Sequence, residues 1–230
     1  MKKPNIFIAC DTTNTNVIKK IISDTKTKKL NIGYKFGLEF FYSKNGRKFI
    51  SKLKVKNLWL DVKIMDIPNT SSASIKSLKD LKNVSYITVH ISGGLEMLKA
   101  IKKESKKINK KLKILGVSIL TSFSNSSIKK IGHTRSIKDL VKKQAALAKS
   151  AKLNGIVCSG HEVKLIKKIC KKMEIITPGI RLIGDSKQDQ KRVMTPKKAF
   201  QEGATGIVVG RSVTKGNIKK NFQKLIQSLN

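Results

Sequence analysis

The sequence predicts an α/β protein that folds as a single (β/α)8 barrel, the TIM-barrel architecture. Eight short apolar runs alternate with longer amphipathic stretches from one end of the chain to the other. With 230 residues, 39% of them hydrophobic, the chain has the length of one barrel and enough apolar side chains to fill it. No low-complexity linker interrupts the pattern. We therefore expect one domain that spans residues 1–230.

Each predicted strand is a run of five to nine residues rich in aliphatic side chains. Strands of a parallel sheet have this character because helices cover the sheet. In chain order the runs are NIFIAC (5–10), LNIGYKF (30–36), NLWLDVK (57–63), VSYITVH (84–90), LKILGVSIL (112–120), GIVCS (155–159), MEIITPG (173–179) and TGIVVG (205–210).

The segments between these runs show helical spacing of apolar residues. Segments 139–153 and 161–172 place apolar side chains three and four positions apart. The polar segment 122–136 is expected to be a loop that leads into a helix. An open doubly wound sheet is the alternative fold, but no GxGxxG motif follows the first strand.

The net charge of +36 raises the question of nucleic-acid binding, because a large positive field attracts polyanions. Only five of the 50 Lys and Arg residues are Arg, whose planar guanidinium binds phosphate with better geometry than the ammonium of Lys. Aromatic residues that could stack on bases make up only 5% of the chain. The composition therefore favours solvated helix faces and no specific nucleic-acid partner. A basic RNA-associated protein remains an alternative that charge alone supports.

The cysteines and the N-terminus indicate the cellular setting. Cys10, Cys158 and Cys170 are odd in number and form no CxxC pair, which is typical of a reducing cytoplasm. The N-terminal segment MKKPNIFIAC has an apolar run too short for a signal peptide or a membrane span. We therefore expect a cytoplasmic protein without a membrane partner.

Polar or reactive residues stand at the end of nearly every predicted strand. Catalytic groups of α/β barrels lie at the C-terminal ends of the strands, so this distribution predicts an enzyme. In strand order the residues are Asp11; Lys35; Asp61 and Lys63; His90; Thr121 and Ser122; Cys158 and Ser159; Arg181; and Gly210 and Arg211.

The third predicted strand leads into LWLDVKIMDIPNT, residues 58–70. Alternate residues of a strand share a face, so Asp61 and Lys63 are expected to point into the barrel together. Buried charges are tolerated when they pair with one another. An alternating acid and base at a strand end therefore predicts a charge array with a chemical function.

The segment LDVKIMDIPNT resembles the motif of the orotidine 5′-phosphate decarboxylase family, Asp-x-Lys-x-x-Asp followed by Ile-Pro-Asn-Thr. Related sugar-phosphate decarboxylases and aldolases share DxKxxD alone, so the further matches make the resemblance specific. They follow in family order over most of the chain: ACD with Asp11, YKFG with Lys35, VHISGG with His90, ILTS with Thr121, TPGIR with Arg181, DQKR with Gln190, and VVGRSVT with Gly210 and Arg211.

The resemblance implies a carboxy-lyase that converts orotidine 5′-phosphate to uridine 5′-phosphate and CO₂, the last step of de novo pyrimidine biosynthesis, without metal or organic cofactor. It assigns Lys63 as the ammonium that stabilises the C6 carbanion and then protonates it. Lys35, Asp61 and Asp66 complete the catalytic array, with Asp66 supplied by the other subunit of a homodimer. Opposite charges within a few ångströms keep such groups ionised. A preorganised array stabilises charge that develops in the transition state.

The phosphate group has a separate physical rationale. Barrels of this kind often bind phosphate between the loops after strands seven and eight and the N-terminus of a following short helix. In this sequence those loops carry Arg181, Gln190, Gly210 and Arg211. The polar segment 182–195 is expected to close over the phosphate.

The resemblance assigns the remaining substrate contacts. It implies that Asp11 and Lys35 contact the ribose hydroxyls, as does Thr70 from the partner subunit. Thr121, together with Ser122, would contact the pyrimidine edge. Asp61 would lie beside the carboxylate that departs.

Several other residues are expected to be structural. His90 is interpreted as a hydrogen-bonded barrel residue, and His133 and His161 as structural or exposed. The spacing of the three histidines indicates no metal site. Cys10 and Cys158 lack a paired base and are expected to pack in the interior.

Two departures from the family pattern leave the reacting groups in place. Met65 stands where many members have His, and Cys10 and Thr12 replace more usual apolar residues beside Asp11. The alternative within this fold is a barrel enzyme that acts on a sugar phosphate. Such an enzyme would share DxKxxD but would need a divalent metal. It would not require the IPNT segment or Lys35.

Overall fold

The computed structural model describes residues 4–185 and 192–229. Within them, eight strands pair in parallel in sequence order, and β8 pairs with β1, so the sheet closes. This confirms the predicted (β/α)8 TIM barrel. The strands are β1 (Asn5–Ala9), β2 (Asn31–Gly37), β3 (Leu58–Ile64), β4 (Val84–His90), β5 (Lys113–Val117), β6 (Gly155–Val157), β7 (Glu174–Thr177) and β8 (Gly206–Val209).

At least one helix follows every strand and covers the outside of the sheet. None of the helices in the described ranges has the length and apolar character needed to cross a bilayer. The helices of those ranges are α1 (Thr15–Asp24), α2 (Leu38–Tyr42), α3 (Gly46–Lys52), α4 (Pro68–Lys76), α5 (Gly94–Ile108), α6 (Asn125–Lys130), α7 (Ile137–Ser150), α8 (Val163–Ile169), α9 (Pro196–Gln201), α10 (Arg211–Thr214) and α11 (Ile218–Gln227).

Alternation along the strands divides the core into two parts. On β1, Ile6 and Ile8 belong to the large core between strands and helices, whereas Phe7 belongs to a smaller cluster inside the barrel. There the Phe7 ring packs edge to face on Trp59, with ring centroids 4.9 Å apart. Gly33 makes room for this ring, because a Cβ at that position would lie 2.7 Å from Phe7. Aromatic side chains from β1, β3 and β4, together with aliphatic side chains from β5 to β8, therefore fill the barrel below its C-terminal mouth.

The N-terminal end of the barrel is closed by a polar cluster. Lys113 forms an ion pair with Glu174, and its ammonium lies 3.1 Å from the Tyr86 hydroxyl. The Tyr86 hydroxyl in turn donates to Glu174 Oε2 at 3.2 Å. All three residues stand at the opposite end of the barrel from the predicted catalytic residues, so their interactions concern stability.

The structure differs from the sequence expectation between β5 and α7. The segment 122–136, expected to be a loop before a helix, contains the short helix α6. It forms because Ser124 and Ser127 cap each other's backbone N–H groups and Ile128 is buried. The predicted fifth strand is also shorter, since the chain leaves the sheet after Val117. Ile119 and Leu120 line a cavity instead.

Candidate active site

The C-terminal ends of the strands surround a cavity of about 480 Å³. Its wall combines apolar residues from inside the barrel with polar residues at the strand ends. Eight of the predicted site residues line it: Asp11, Lys35, Asp61, Lys63, Thr121, Arg181, Gly210 and Arg211. The folded chain therefore brings together residues that are separated by up to 200 positions in the sequence.

A row of ion pairs runs along one side of this cavity. Lys35 Nζ lies 3.1 Å from Asp11 Oδ1 and 3.4 Å from Asp61 Oδ2. The same Asp61 oxygen lies 2.9 Å from Lys63 Nζ. Lys35 and Asp61 are each only 8% exposed, whereas Asp11 lies at the open rim. The row therefore joins β1, β2 and β3 from the rim into the barrel.

The row keeps its buried members charged. Burial by itself raises the pKa of the Asp61 carboxyl, but Lys35 and Lys63 outweigh burial and hold it below its ordinary value. Burial lowers the pKa of Lys35, but Asp61 and then Asp11 outweigh it and leave that pKa raised. Asp61 is thus an anion and Lys35 a cation at neutral pH, although both are buried.

The end of β3 has an irregular backbone that sets the direction of Lys63. Leu60 pairs with Ile87 on β4, and the next pair is Ile64 with Val89. Residues 61–63 therefore lie opposite the single residue Thr88. The backbone of Lys63 has φ 48°, in the left-handed region that residues other than glycine adopt infrequently.

His90, at the end of β4, lies near the row but is not part of the cavity lining. Burial lowers the pKa of His90, the nearby Lys63 lowers it further, and Asp61 opposes the effect. His133 and His161 are exposed. Among the described residues, no three His, Cys, Asp or Glu side chains form a group that could hold a metal ion.

The predicted phosphate residues that line the cavity stand after β7 and β8. The Arg181 side chain is buried, and its backbone N–H donates to the carbonyl of Met194 at 3.0 Å. Arg211 begins α10, where the carbonyl of Gly210 accepts from Val213 N–H at 2.8 Å. Among the described residues, a Cβ added at Gly210 would meet Ala9, at 3.6 Å, which is an ordinary contact distance.

The structure does not place every predicted site residue at the cavity. Asp66, Thr70 and Ser122 are exposed and lie outside its lining. The Asp66 carboxylate accepts from the Ile67 N–H at 2.7 Å, and no ion pair joins it to a cation of the described ranges. Gln190 falls outside the described residues.

Two cysteines expected to pack in the interior are both buried. Burial raises the pKa of Cys10 to about 12, and it raises the pKa of Cys158 as well. Neither thiol is therefore ionised at neutral pH, which fits the packing role expected from the sequence.

Two residues that support the site were not predicted from the sequence. Thr88 is completely buried and contacts Asp61, and Trp59 lies on the cavity floor two positions before Asp61. The alternation of β4 and β3 was the available signal, because Thr88 precedes His90, and Trp59 precedes Asp61, by two residues.

A buried ion pair also connects loops around the cavity. Arg192 pairs with Glu162, and Arg192 Nη2 donates to the carbonyl of Leu120 at 3.1 Å. Glu162 Oε2 accepts from the Ser159 N–H at 2.9 Å. The loops that follow β5, β6 and β7 are thereby tied together. The sequence showed Arg192 only as a neighbour of the predicted phosphate residues.

The fold and the site together define an α/β-barrel enzyme with a row of paired Lys and Asp at its mouth. Residues 4–221 match the family described as the orotidine 5′-phosphate decarboxylase / HUMPS family. The chain therefore belongs to that family, and it is a carboxy-lyase of pyrimidine biosynthesis.

Individual relatives agree with this membership. The chain is 40% identical over 228 residues to the orotidine 5′-phosphate decarboxylase of Wolbachia sp. subsp. Brugia malayi, covering 96% of each chain. It is 39% identical over 232 residues to the enzyme of that name from Carboxydothermus hydrogenoformans, covering 97% of this chain and 95% of the relative. The crystal structure of orotidine 5′-phosphate decarboxylase from Lactobacillus acidophilus superimposes with a TM-score of 0.82 at 29% identity, with full coverage of both chains.

Proposed function

We propose that the protein decarboxylates orotidine 5′-phosphate to uridine 5′-phosphate and CO₂. The observation that carries this proposal is the row of ion pairs Asp11–Lys35–Asp61–Lys63 at the edge of the cavity. The family and the names of the relatives support the same substrate. We also propose that residues 1–230 form one domain, which the pairing of β1 with β8 supports.

In the proposed reaction, the bond between C6 of the pyrimidine and its carboxylate carbon breaks. CO₂ leaves, the electron pair stays on C6, and Lys63 donates a proton to C6. Lys63 suits this role because its ammonium is paired with Asp61 at 2.9 Å while its side chain is 29% exposed. The resulting neutral Lys63 takes up a proton from solvent. Because the charges of the row are in place before the reaction, no solvent has to reorient around the developing carbanion.

The substrate would lie across the cavity between two groups of residues. Asp11 and Lys35 would contact the ribose hydroxyls, and Thr121 would contact the pyrimidine edge. Arg181 and Arg211 would bind the phosphate, since both line the cavity, after β7 and β8. Arginine suits this role because its planar guanidinium binds phosphate through two parallel hydrogen bonds. Binding energy from the phosphate then contributes to turnover at the distant C6.

We propose a homodimer with shared active sites to account for the residues that lie away from the cavity. Asp66 and Thr70 are exposed, and the apolar neighbours of Asp66, Met65 and Ile67, are 57% and 67% exposed. Large apolar side chains at this exposure favour contact with another surface. In the dimer, Asp66 of one subunit would complete the charge array around Lys63 of the other, and Thr70 would reach the ribose.

The reducing cytoplasm is the proposed setting. The three cysteines support it, since all are free and buried.

The reaction is tested by adding orotidine 5′-phosphate in the presence of a chelator such as EDTA and following the loss of its absorbance. We expect full activity with the chelator and uridine 5′-phosphate as the product. Activity that appears only after a divalent metal is added, or on a sugar phosphate alone, would favour the sugar-phosphate alternative. Tight RNA binding with a steep loss of affinity on adding salt would instead favour the RNA-associated alternative.

A further inference from the structure

Thr88 occupies the one position on β4 that faces the irregular end of β3. Three residues of β3, Asp61 to Lys63, lie opposite it, so the regular ladder of backbone hydrogen bonds is interrupted there. Thr88 is completely buried, and its hydroxyl is the group that fills the interruption. Thr88 does not line the cavity and has no direct contact with substrate in the proposed reaction.

The Thr88 hydroxyl makes two hydrogen bonds, one as donor and one as acceptor. It donates to Asp61 Oδ1 at 2.9 Å, and it accepts from the backbone N–H of Lys63 at 3.1 Å. One carboxylate oxygen of Asp61 therefore accepts a hydrogen bond from Thr88, and the other forms ion pairs with Lys35 and Lys63. The hydroxyl links the side chain of one catalytic residue to the backbone of the next.

We propose that Thr88 is a positioning residue for the decarboxylation, which fixes Asp61 and Lys63 relative to each other. This inference rests on the proposed function. By holding Asp61 Oδ1, Thr88 sets the carboxylate so that its other oxygen faces Lys35 and Lys63. By holding the Lys63 N–H, it supports the left-handed backbone at φ 48° and hence the direction of the Lys63 side chain. Catalytic groups lose effectiveness steeply when they move from their productive geometry.

A hydroxyl is required here for a specific reason. The site needs one donor toward a carboxylate and one acceptor toward an amide, in a space with no exposure to solvent. Valine has the shape of threonine but can neither donate nor accept a hydrogen bond. Serine can donate and accept hydrogen bonds but lacks the methyl group. The two replacements therefore separate hydrogen bonding from packing.

The experiment compares the variants Thr88→Val and Thr88→Ser with the control Thr25→Val, using orotidine 5′-phosphate and measuring kcat and KM separately. Thr25 is a matched control because it is also completely buried and its hydroxyl also makes two hydrogen bonds, to the Ile21 carbonyl and the Tyr34 hydroxyl. Thermal unfolding of all the proteins checks that each variant is folded at the assay temperature.

We expect kcat of Thr88→Val to fall by about 10- to 100-fold, the range for losing hydrogen bonds that hold a charged catalytic group. KM should change by less than about threefold, because the residues that bind phosphate are untouched. Thr88→Ser should restore most of the lost turnover. Thr25→Val should lower stability while kcat stays at the wild-type value.

Other outcomes would overturn the inference. Normal kcat in Thr88→Val would show that the hydroxyl positions nothing of importance to turnover. Loss of turnover in Thr88→Ser with normal turnover in Thr88→Val would assign the role to the methyl group. If Thr88→Val does not fold, Thr88→Cys takes its place, since a thiol is a weak donor of similar size, and turnover equal to that of Thr88→Ser would reject the proposal. Failure of the proposed function is distinguishable, because the wild-type protein would then not decarboxylate this substrate at all.

Discussion

Replacing Asp61 with Asn tests the electrostatic balance of the cavity. Asp61 Oδ2 lies 3.4 Å from Lys35 Nζ and 2.9 Å from Lys63 Nζ, and the Asp61 side chain is only 12% exposed. The Asn variant leaves two ammonium groups near each other with no anion between them. Removing one partner of a buried ion pair costs about 3–5 kcal/mol in the free energy of unfolding. Asp11 still pairs with Lys35 at the rim, so we expect a loss near the lower end, about 3 kcal/mol at pH 7.

Asp80→Asn is the matched control. It makes the same substitution in the ion pair between Asp80 and Arg47, whose side chains are 56% and 42% exposed. Exposed pairs contribute at most about 1 kcal/mol, so this variant should be almost as stable as wild type. Urea denaturation of the three proteins at pH 7 measures both effects. Equal destabilisation by the two substitutions would refute the argument that burial makes the Asp61 pairs important.

The dependence on pH gives a second check of the same argument. The pKa of Asp61 is lowered from its ordinary value of 3.8, chiefly because Lys35 and Lys63 outweigh the effect of burial. A lowered pKa in the folded state adds stability that is present above the unfolded pKa and is lost as pH falls through the folded value. The stability difference between wild type and Asp61→Asn should therefore shrink as pH falls below about 4. If the stability difference between the two proteins stays constant down to the lowest pH at which both fold, the proposed role of the Asp61 charge would be wrong.

Three further predictions concern the dimer, the phosphate site and the closed end of the barrel. Mixing inactive Lys63→Ala and Asp66→Asn subunits should restore about 25% of wild-type activity, because half of the random dimers are mixed and one of their two sites is intact; no recovery, despite subunit exchange confirmed by mass labelling, would reject shared sites. Arg211→Ala should lower kcat/KM by about 10- to 100-fold, largely through KM, while Arg47→Ala leaves it unchanged; equal kinetics of the two variants would reject the phosphate assignment. Glu174→Gln should cost about 1–3 kcal/mol of stability, measured in urea, because Glu174 is only 21% exposed and accepts from both Lys113 and Tyr86, and turnover should stay at the wild-type value; a loss of turnover would show that the N-terminal end of the barrel affects the site.

The barrel could be predicted from the sequence because its cause is local and repeated. Each strand buries both faces, one against helices and one inside the barrel, so eight apolar runs mark the strands without knowledge of their pairing. The grouping of charged residues at the mouth of the barrel could be predicted for a related reason. Asp61 and Lys63 come at the end of an apolar run, and parallel strands bring their C-terminal ends to the same mouth, although the irregular backbone at 61–63, and not regular alternation, directs Lys63.

The ends of strands and helices were less predictable where contacts with residues distant in the sequence determine them. The apolar run 112–120 looks uniform, but the strand ends at Val117, and Ile119 and Leu120 line the cavity instead. The polar segment 122–136 contains α6, whose stability comes from reciprocal capping by Ser124 and Ser127 and from burial of one isoleucine. Apolar periodicity does not report on such contacts, since capping depends on the backbone geometry that results from folding.

The sequence by itself determined the eight-stranded architecture and the charged residues at the strand ends, because eight apolar runs mark the strands, spacing of about 3.6 residues marks the helices between them, and the charged residues stand at the ends of the runs. Only the tertiary structure decided how those charges are arranged. The three-against-one register between β3 and β4 is a property of two paired strands, so it shows in neither strand alone. It turns Lys63 to φ 48° and gives Thr88 its contacts with Asp61 and Lys63. Contacts between residues 25 and 27 positions apart depend on strand pairing, which no local pattern encodes.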